Sequence, residues 1–205
     1  FKSGSAMLDD FDYEQAHSEG AAAMATALRL GEDDPLVQWI AASDECAQIT
    51  EGCDPELALA RLQRLEPDNA AVWLVSLDRA FQRGDDLAVQ EALLQRAARS
   101  DHYDTHFGEF GGLAYATLNQ LPPLVMATCA QKAYAAELEV PTTRDGLIGA
   151  SAMDIAVAHS SPAISPLAEL CKQPPPSRRR ACIDAFGRMA SGSEMIGQVM
   201  GLHLG

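Results

Sequence analysis

Apolar residues recur at helical spacing along most of this 205-residue chain, and turn-forming residues cut the pattern into regular pieces. A first helix reads from Asp12 to Leu30, ended by Gly31. Asp34-Pro35 opens a second: Asp34 supplies an N-cap oxygen, and Pro35 fills a first helical position that needs no N–H. It carries Leu36, Trp39, Ile40, Ser43 and Cys46. Asp54-Pro55 starts a third helix with Leu57, Leu59, Leu62 and Leu65. The turn EPDN then precedes a fourth, with Val72, Trp73, Leu77, Ala80 and Phe81. RGDD leads into a fifth, with Leu87, Leu93, Leu94 and Ala97. Elements of roughly 12–17 residues joined by short turns have the rhythm of antiparallel helix pairs.

After residue 140 the spacing becomes irregular. A helix carries Leu147, Ile148, Met153, Ile155 and Val157, and a shorter one follows in SPAISPLAELC. KQPPPS forces a stiff turn, because proline cannot enter a helix interior. Ser177 is expected to cap the next helix, which sets Cys182, Ala185, Phe186 and Met189 on one face. A last helix starts at Ser193 and carries Met195, Ile196, Val199, Met200 and Leu202 around much of its circumference, so burial is expected. Gly197 and Gly201 would let a neighbour approach it closely.

Trp39 and Trp73 stand 34 residues apart, and 34 further on stands Phe107. Trp73, the turn Gly84-Asp85 and the terminal Pro67 of the preceding unit match the 34-residue helix–turn–helix pattern, and Ser43 supplies a small residue after Trp39. Leu77, Ala80 and Pro122-Pro123 depart from it. Residues 34–138 thus resemble the tetratricopeptide-like helical repeat family in divergent form. The resemblance implies an all-α right-handed solenoid of stacked antiparallel helix pairs, whose first helices line a peptide- or protein-binding groove. Groove candidates are the polar residues Gln38, Asp44, Asp78, Arg79 and His106, expected to be exposed. The two tryptophans are expected to fill gaps between helices. The chain then reads as a disordered start or appended scar over 1–11, repeats over 12–138, and a helical C-terminal cap over 139–205, all within one domain.

Composition sharpens this picture. Ala-rich, aromatic-poor usage favours helices over strands. Net charge is −14, with ten basic and 27 acidic residues before position 171 and five against two after it. An acidic body argues against nucleic acid and against an anionic membrane surface, and favours a basic protein partner. No apolar run is long enough to span a bilayer. The opening FKSGSAM lacks an initiator Met and reads as the start of a truncated or mature chain.

Of five cysteines, Cys46 and Cys53 flank one predicted helical turn, and Cys171 and Cys182 flank the proline-rich one. Each pair is placed to staple a hairpin, which implies an oxidising compartment. The periplasm of a Gram-negative bacterium is expected, with the chain free or once tethered by an N-terminal lipid; a cytoplasmic location is the alternative. Cys129 is left as a core thiol.

Chemistry has few candidates. His102 and His106, four apart, would share a helix face, but the surrounding motif of a zinc protease is missing, and no metal or cofactor is expected. No nucleophile motif or phosphate loop occurs. Arg178, Arg179 and Arg180 crowd the first turn of a helix, where the dipole disfavours cations. They are expected either to dock on the chain's own acidic helices or to grip an acidic partner. The expectation is a non-enzymatic protein- or peptide-binding repeat protein, a periplasmic scaffold or assembly factor. The alternatives are an inhibitor or immunity protein that neutralises a basic hydrolase toxin, and an enzyme whose site is dispersed in sequence.

Overall fold

Local capping chemistry sets the helix boundaries. A computed structural model of the chain describes residues 13–43, 46, 48, 50, 52–121, 128–137, 139–160 and 164–204. Apart from one isolated bridge, the regular structure among these residues is entirely helical. The helices are α1 (Tyr13–Leu30), α2 (Pro35–Ala41), α3 (Pro55–Leu65), α4 (Ala70–Arg83), α5 (Leu87–Arg99), α6 (Phe107–Gln120), α7 (Thr128–Glu137), α8 (Arg144–Ser160), α9 (Ser165–Cys171), α10 (Pro176–Ala190) and α11 (Met195–Leu204). The start at residues 1–11 and the groove candidate Asp44 lie outside the described residues, as does the side chain of Cys129.

Asp34, Asp54, Asn69 and Asp86 cap α2, α3, α4 and α5, each accepting from a backbone N–H of the first turn. Gly84 closes α4 at φ 73°, a left-handed conformation that a side chain would strain. Three expected boundaries shift. Helix α2 ends at Ala41 rather than running to Cys46, because the Ser43 hydroxyl accepts from the Cys46 N–H and offers the backbone another partner. Helix α10 begins at Pro176, whose fixed φ suits the first helical position, so Ser177 is inside the helix and is not its cap. The last helix begins at Met195, after Glu194.

Helices α2, α3, α4 and α5 pack successively side by side. The antiparallel course of α3 and α4 is fixed by Gln63 Nε2 donating to Ser76 Oγ at 2.9 Å, and by Arg83 pairing with Glu56 at 2.9 Å. Helix α6 instead makes its most extensive packing with α8. Helix α9 lies on α4, and α10 runs along α5 in the same direction. Arg178 of α10 pairs with Glu91, and Arg188 donates to the Asp101 carbonyl at 3.3 Å; both partners are 87 residues upstream.

The core runs through Leu62, Val72, Leu77, Leu94, Leu167 and Met189, all at or below 1% exposure. Trp39 and Trp73 are buried as well, and Phe107 packs partly against the same core. The three aromatics do not occupy one helical position, however: Trp39 is the fifth residue of α2, Trp73 the fourth of α4 and Phe107 the first of α6. Their surroundings also differ. Trp73 Nε1 donates to the Pro67 carbonyl just upstream, at 2.7 Å, and Arg96 lies over its ring. Trp39 Nε1 donates to the His159 carbonyl, 120 residues away, at 3.0 Å.

Among the described side chains of the last helix, burial is confined to one side. Val199 and Leu202 are exposed, while Gly197 and Gly201 are buried. A Cβ at Gly197 would stand 2.6 Å from the Tyr103 ring, and one at Gly201 would stand 2.6 Å from the Phe186 carbonyl oxygen. Helix α11 therefore approaches by its glycine side, with Met200 partly packed on the core and Val199 and Leu202 left outside.

Candidate functional site

A cluster of polar groups gathers on residues 100–106, between α5 and α6. Asn69 organises it. Its Oδ1 accepts from the N–H groups of Ala71 and Asp104 at 3.1 and 3.0 Å. Its Nδ2 donates to the Asp104 carbonyl and to Glu66 Oε2 at 2.8 and 3.0 Å. Ala70 N–H donates to the His102 carbonyl, and Asp101 N–H to the Asp68 carbonyl, so the loop runs beside the α3–α4 turn as a short parallel bridge. At its other edge, Glu194 accepts from both the N–H and the hydroxyl of Thr105.

This course separates the two histidines. His102 is exposed in the loop, and His106 is buried as the N-cap of α6 at φ 59°. The expectation of a shared helix face is therefore overturned: bonds to Asn69 and the Asp68 carbonyl keep residues 101–104 out of the helix, and α6 starts only at Phe107. Among the described residues, no set of three His, Cys, Asp or Glu is arranged to hold a metal.

His106 Nδ1 lies 2.6 Å from Glu109 Oε2 and its Nε2 3.1 Å from Glu66, so the imidazolium can donate to both. Burial works against its charge, but the hydrogen bonds to Glu66 and Glu109 and the nearby Asp104 carboxylate push its pKa up to about 9. Burial likewise opposes ionisation of Glu66, yet the bonds from His106 and Asn69 hold that carboxyl below its usual range. Burial pushes Glu194 up, and the neighbouring Asp104 carboxyl adds to this against the two bonds from Thr105. Burial pushes the Tyr103 phenol up as well. With both ring nitrogens of His106 facing carboxylates, the cluster fastens α3, α6 and α11 to one loop.

The other candidates scatter. Gln38 is fully buried, donating from Nε2 to the Gly31 carbonyl at 3.0 Å while its Oε1 accepts no bond among the described residues. Neither Gln38 nor His106 is thus an exposed groove position: α2 turns its Gln38 face inward, and His106 is drawn down by its carboxylates. Arg79 donates to the Ala42 carbonyl at 2.7 Å, tying α4 to the end of α2. Half-buried Asp78 accepts from Gln82 at 2.7 Å. Arg178 docks internally on Glu91 and the Leu170 carbonyl. Arg180 pairs with Asp184 at 2.8 Å on the surface, and Arg179 is exposed. Cys46 and Cys53 lie within disulfide-bonding distance, as do Cys171 and Cys182, with Cα separations of 5.7 and 5.6 Å. The residues that sequence reading missed are Glu66, Asn69, Thr105 and Glu194. Of these, only Glu66 and Asn69 carried a signal, inside the turn EPDN.

The α6–α8 pair has a different character. The two helices run antiparallel: the Phe110 ring lies 6.1 Å from that of His159, and Arg144 Nη2 donates to the Asn119 and Leu121 carbonyls at 2.9 Å. The seam is narrow, with a Gly111 Cβ position 3.7 Å from the Ala156 Cβ. Exposed on its flanks are Leu113 (55%), Tyr115 (39%), Met153 (52%) and Ile155 (38%). At about 100° per residue from the seam, Tyr115 and Met153 fall on one side, and Leu113 and Ile155 on the other. Gly108 and Gly112 share the Tyr115 side, and among the described residues nothing lies within 4 Å of where their Cβ atoms would be. Among the described residues, no helix is long and apolar enough to cross a membrane. Comparison with protein-family models, with curated proteins and with solved structures yields no match to this chain.

Proposed function

We propose that this is a non-enzymatic, protein- or peptide-binding helical protein that works in an oxidising compartment, as a scaffold or assembly factor of the periplasm. One observation carries the reading: α6 and α8 are apolar on their outward flanks as well as along their seam. A helix that is apolar around most of its circumference is ordinarily buried, so the exposed side chains at positions 113, 115, 153 and 155 call for a covering surface. The two cysteine pairs support the compartment, since such pairs persist where thiols are oxidised. The successive packing of α2 to α5 supports the side-by-side helical part of the reading. The binding surface moves, however, from the first-helix groove to the α6–α8 pair, because Gln38 and His106 are buried.

Affinity capture from a periplasmic extract of the native host tests this, at low and high salt. The wild-type chain is expected to retain a specific protein that an L113D/M153D variant of unchanged helicity does not. Retention unaffected by the double substitution would refute the assignment of this surface. The acidity of the chain favours one second reading, an inhibitor of a basic hydrolase. Protection of a host against a co-expressed basic cell-wall hydrolase would distinguish it.

A further inference from the structure

We infer that α11 is a releasable latch: it stays seated on α10 while the Glu194 and Asp104 carboxyls hold a proton between them, and it detaches when that proton is lost to solvent. Its attachment is confined to few groups. Among the described residues, the extensive packing of α11 is with α10 alone. Gly201 meets the α10 backbone at Phe186 and Ala190, and the Tyr103 ring lies against Gly192 and Gly197. Contacts of this kind need close backbone approach, so a small displacement loses them together and the helix opens as a unit. Detachment would uncover the Tyr103 ring, which is 2% exposed while α11 is seated.

The polar fastening stands at the entry to the helix. Half-buried Glu194 accepts from the N–H and the hydroxyl of Thr105, and the Asp104 carboxyl comes within hydrogen-bonding reach of it. Two carboxyl groups in contact are bonded only while one of them carries a proton; with both ionised they repel. The other titratable groups around them do not remove that repulsion. Burial keeps the Tyr103 phenol neutral, and the His106 imidazolium is bonded to Glu66 and Glu109. Arg188 of α10 is turned onto the Asp101 carbonyl, and His203 of α11 onto the Val199 carbonyl. Burial and the Asp104 carboxyl outweigh the Thr105 bonds and hold Glu194 above the ordinary carboxylate range. A carboxyl raised in the folded chain stabilises it fully below its unfolded value, 4.5, and loses that contribution as pH rises through the folded value. The latch is therefore tightest in acid.

Amide hydrogen exchange of the full chain tests the inference, corrected for the intrinsic rate and followed from about pH 5 to about pH 6.5. In that window Glu66 and His106 both keep their charges, so the α4 amides serve as a control for global opening. Protection of the α11 amides is expected to fall at least about threefold across it, while that of α4 holds. E194Q cannot ionise and keeps an acceptor for the Thr105 N–H. D104N removes the facing charge and keeps an acceptor for the His106 N–H. Each is expected to flatten the α11 profile and to raise its protection at about pH 6.5 above that of the wild type. A flat wild-type profile for α11, a parallel loss in α4, or an unchanged slope in either folded variant would overturn the inference. The wild-type profile decides by itself if a variant does not fold. Failure here leaves the protein-binding reading standing, since that reading is tested at Leu113 and Met153.

Discussion

His106 Nε2 lies 3.1 Å from the Glu66 carboxylate, joining the N-terminus of α6 to the C-terminus of α3 across 40 residues of sequence. Its other nitrogen faces Glu109, and its ring stands edge-on to Trp39 with centroids 5.6 Å apart. A charged imidazole at this junction makes stability depend on pH. The folded pKa, about 9, lies above the ordinary 6.5, so the contribution is fully present below about pH 6.5 and is lost as pH rises through about 9. Glu66 gives the opposite limb: it is held low, so its contribution is present above the ordinary carboxylate range and is lost as pH falls below it. Thermal unfolding followed from pH 3 to 10 is expected to show a plateau bounded by these limbs. His106→Asn, which tolerates the left-handed backbone, removes the alkaline limb and costs about 1–3 kcal/mol at neutral pH. An unchanged alkaline limb in that variant would show that the pairing contributes nothing.

Gly201 sets how closely α11 lies on α10. An added Cβ would meet the Phe186 carbonyl oxygen and backbone atoms of Ala190, none of which can swing aside as a side chain can. Gly201→Ala is expected to cost about 1–3 kcal/mol in urea unfolding, against little change for Gly187→Ala, whose Cβ position is open. Equal stability of the two variants would count against this packing.

The two cysteine pairs close short loops of the unfolded chain. Reduction of either is expected to lower stability by about 2–3 kcal/mol, and peptide mapping without reductant should recover Cys46 linked to Cys53 and Cys171 linked to Cys182. Recovery of fully reduced cysteines from protein isolated in its native compartment would remove the case for an oxidising location.

Three consecutive arginines should differ sharply in importance. The Arg178 side chain is 12% exposed and bonded to Glu91 and the Leu170 carbonyl; that of Arg180 is 84% exposed and pairs with Asp184 within one turn. Arg178→Ala is expected to cost about 1.5–3 kcal/mol, and Arg180→Ala no more than about 0.5 kcal/mol. Matching unfolding midpoints for the two variants would contradict the internal docking of Arg178.

Much of the helical layout was legible in the chain because its signals are local. Asp34-Pro35, Asp54-Pro55, Asn69, Gly84 and Asp86 each act on backbone groups within a few residues, and each marks a boundary that the structure keeps. The cysteine pairings were legible for the same reason, being 7 and 11 residues apart. What the sequence determined by itself was therefore the all-helical class, most helix ends and the hairpin-spanning cysteines. The tertiary structure decided the rest. Spacing alone made His102 and His106 neighbours on a helix, until Asn69, more than thirty residues upstream, drew the loop into a short parallel bridge. Spacing made Arg178 ambiguous, until α10 came to lie along α5 beside Glu91. Glu194 carried no local signal at all, since its partner Thr105 is 89 residues away. Capping and turn formation depend on the nearest few residues, whereas burial, ion pairing and pKa depend on which distant helix arrives alongside.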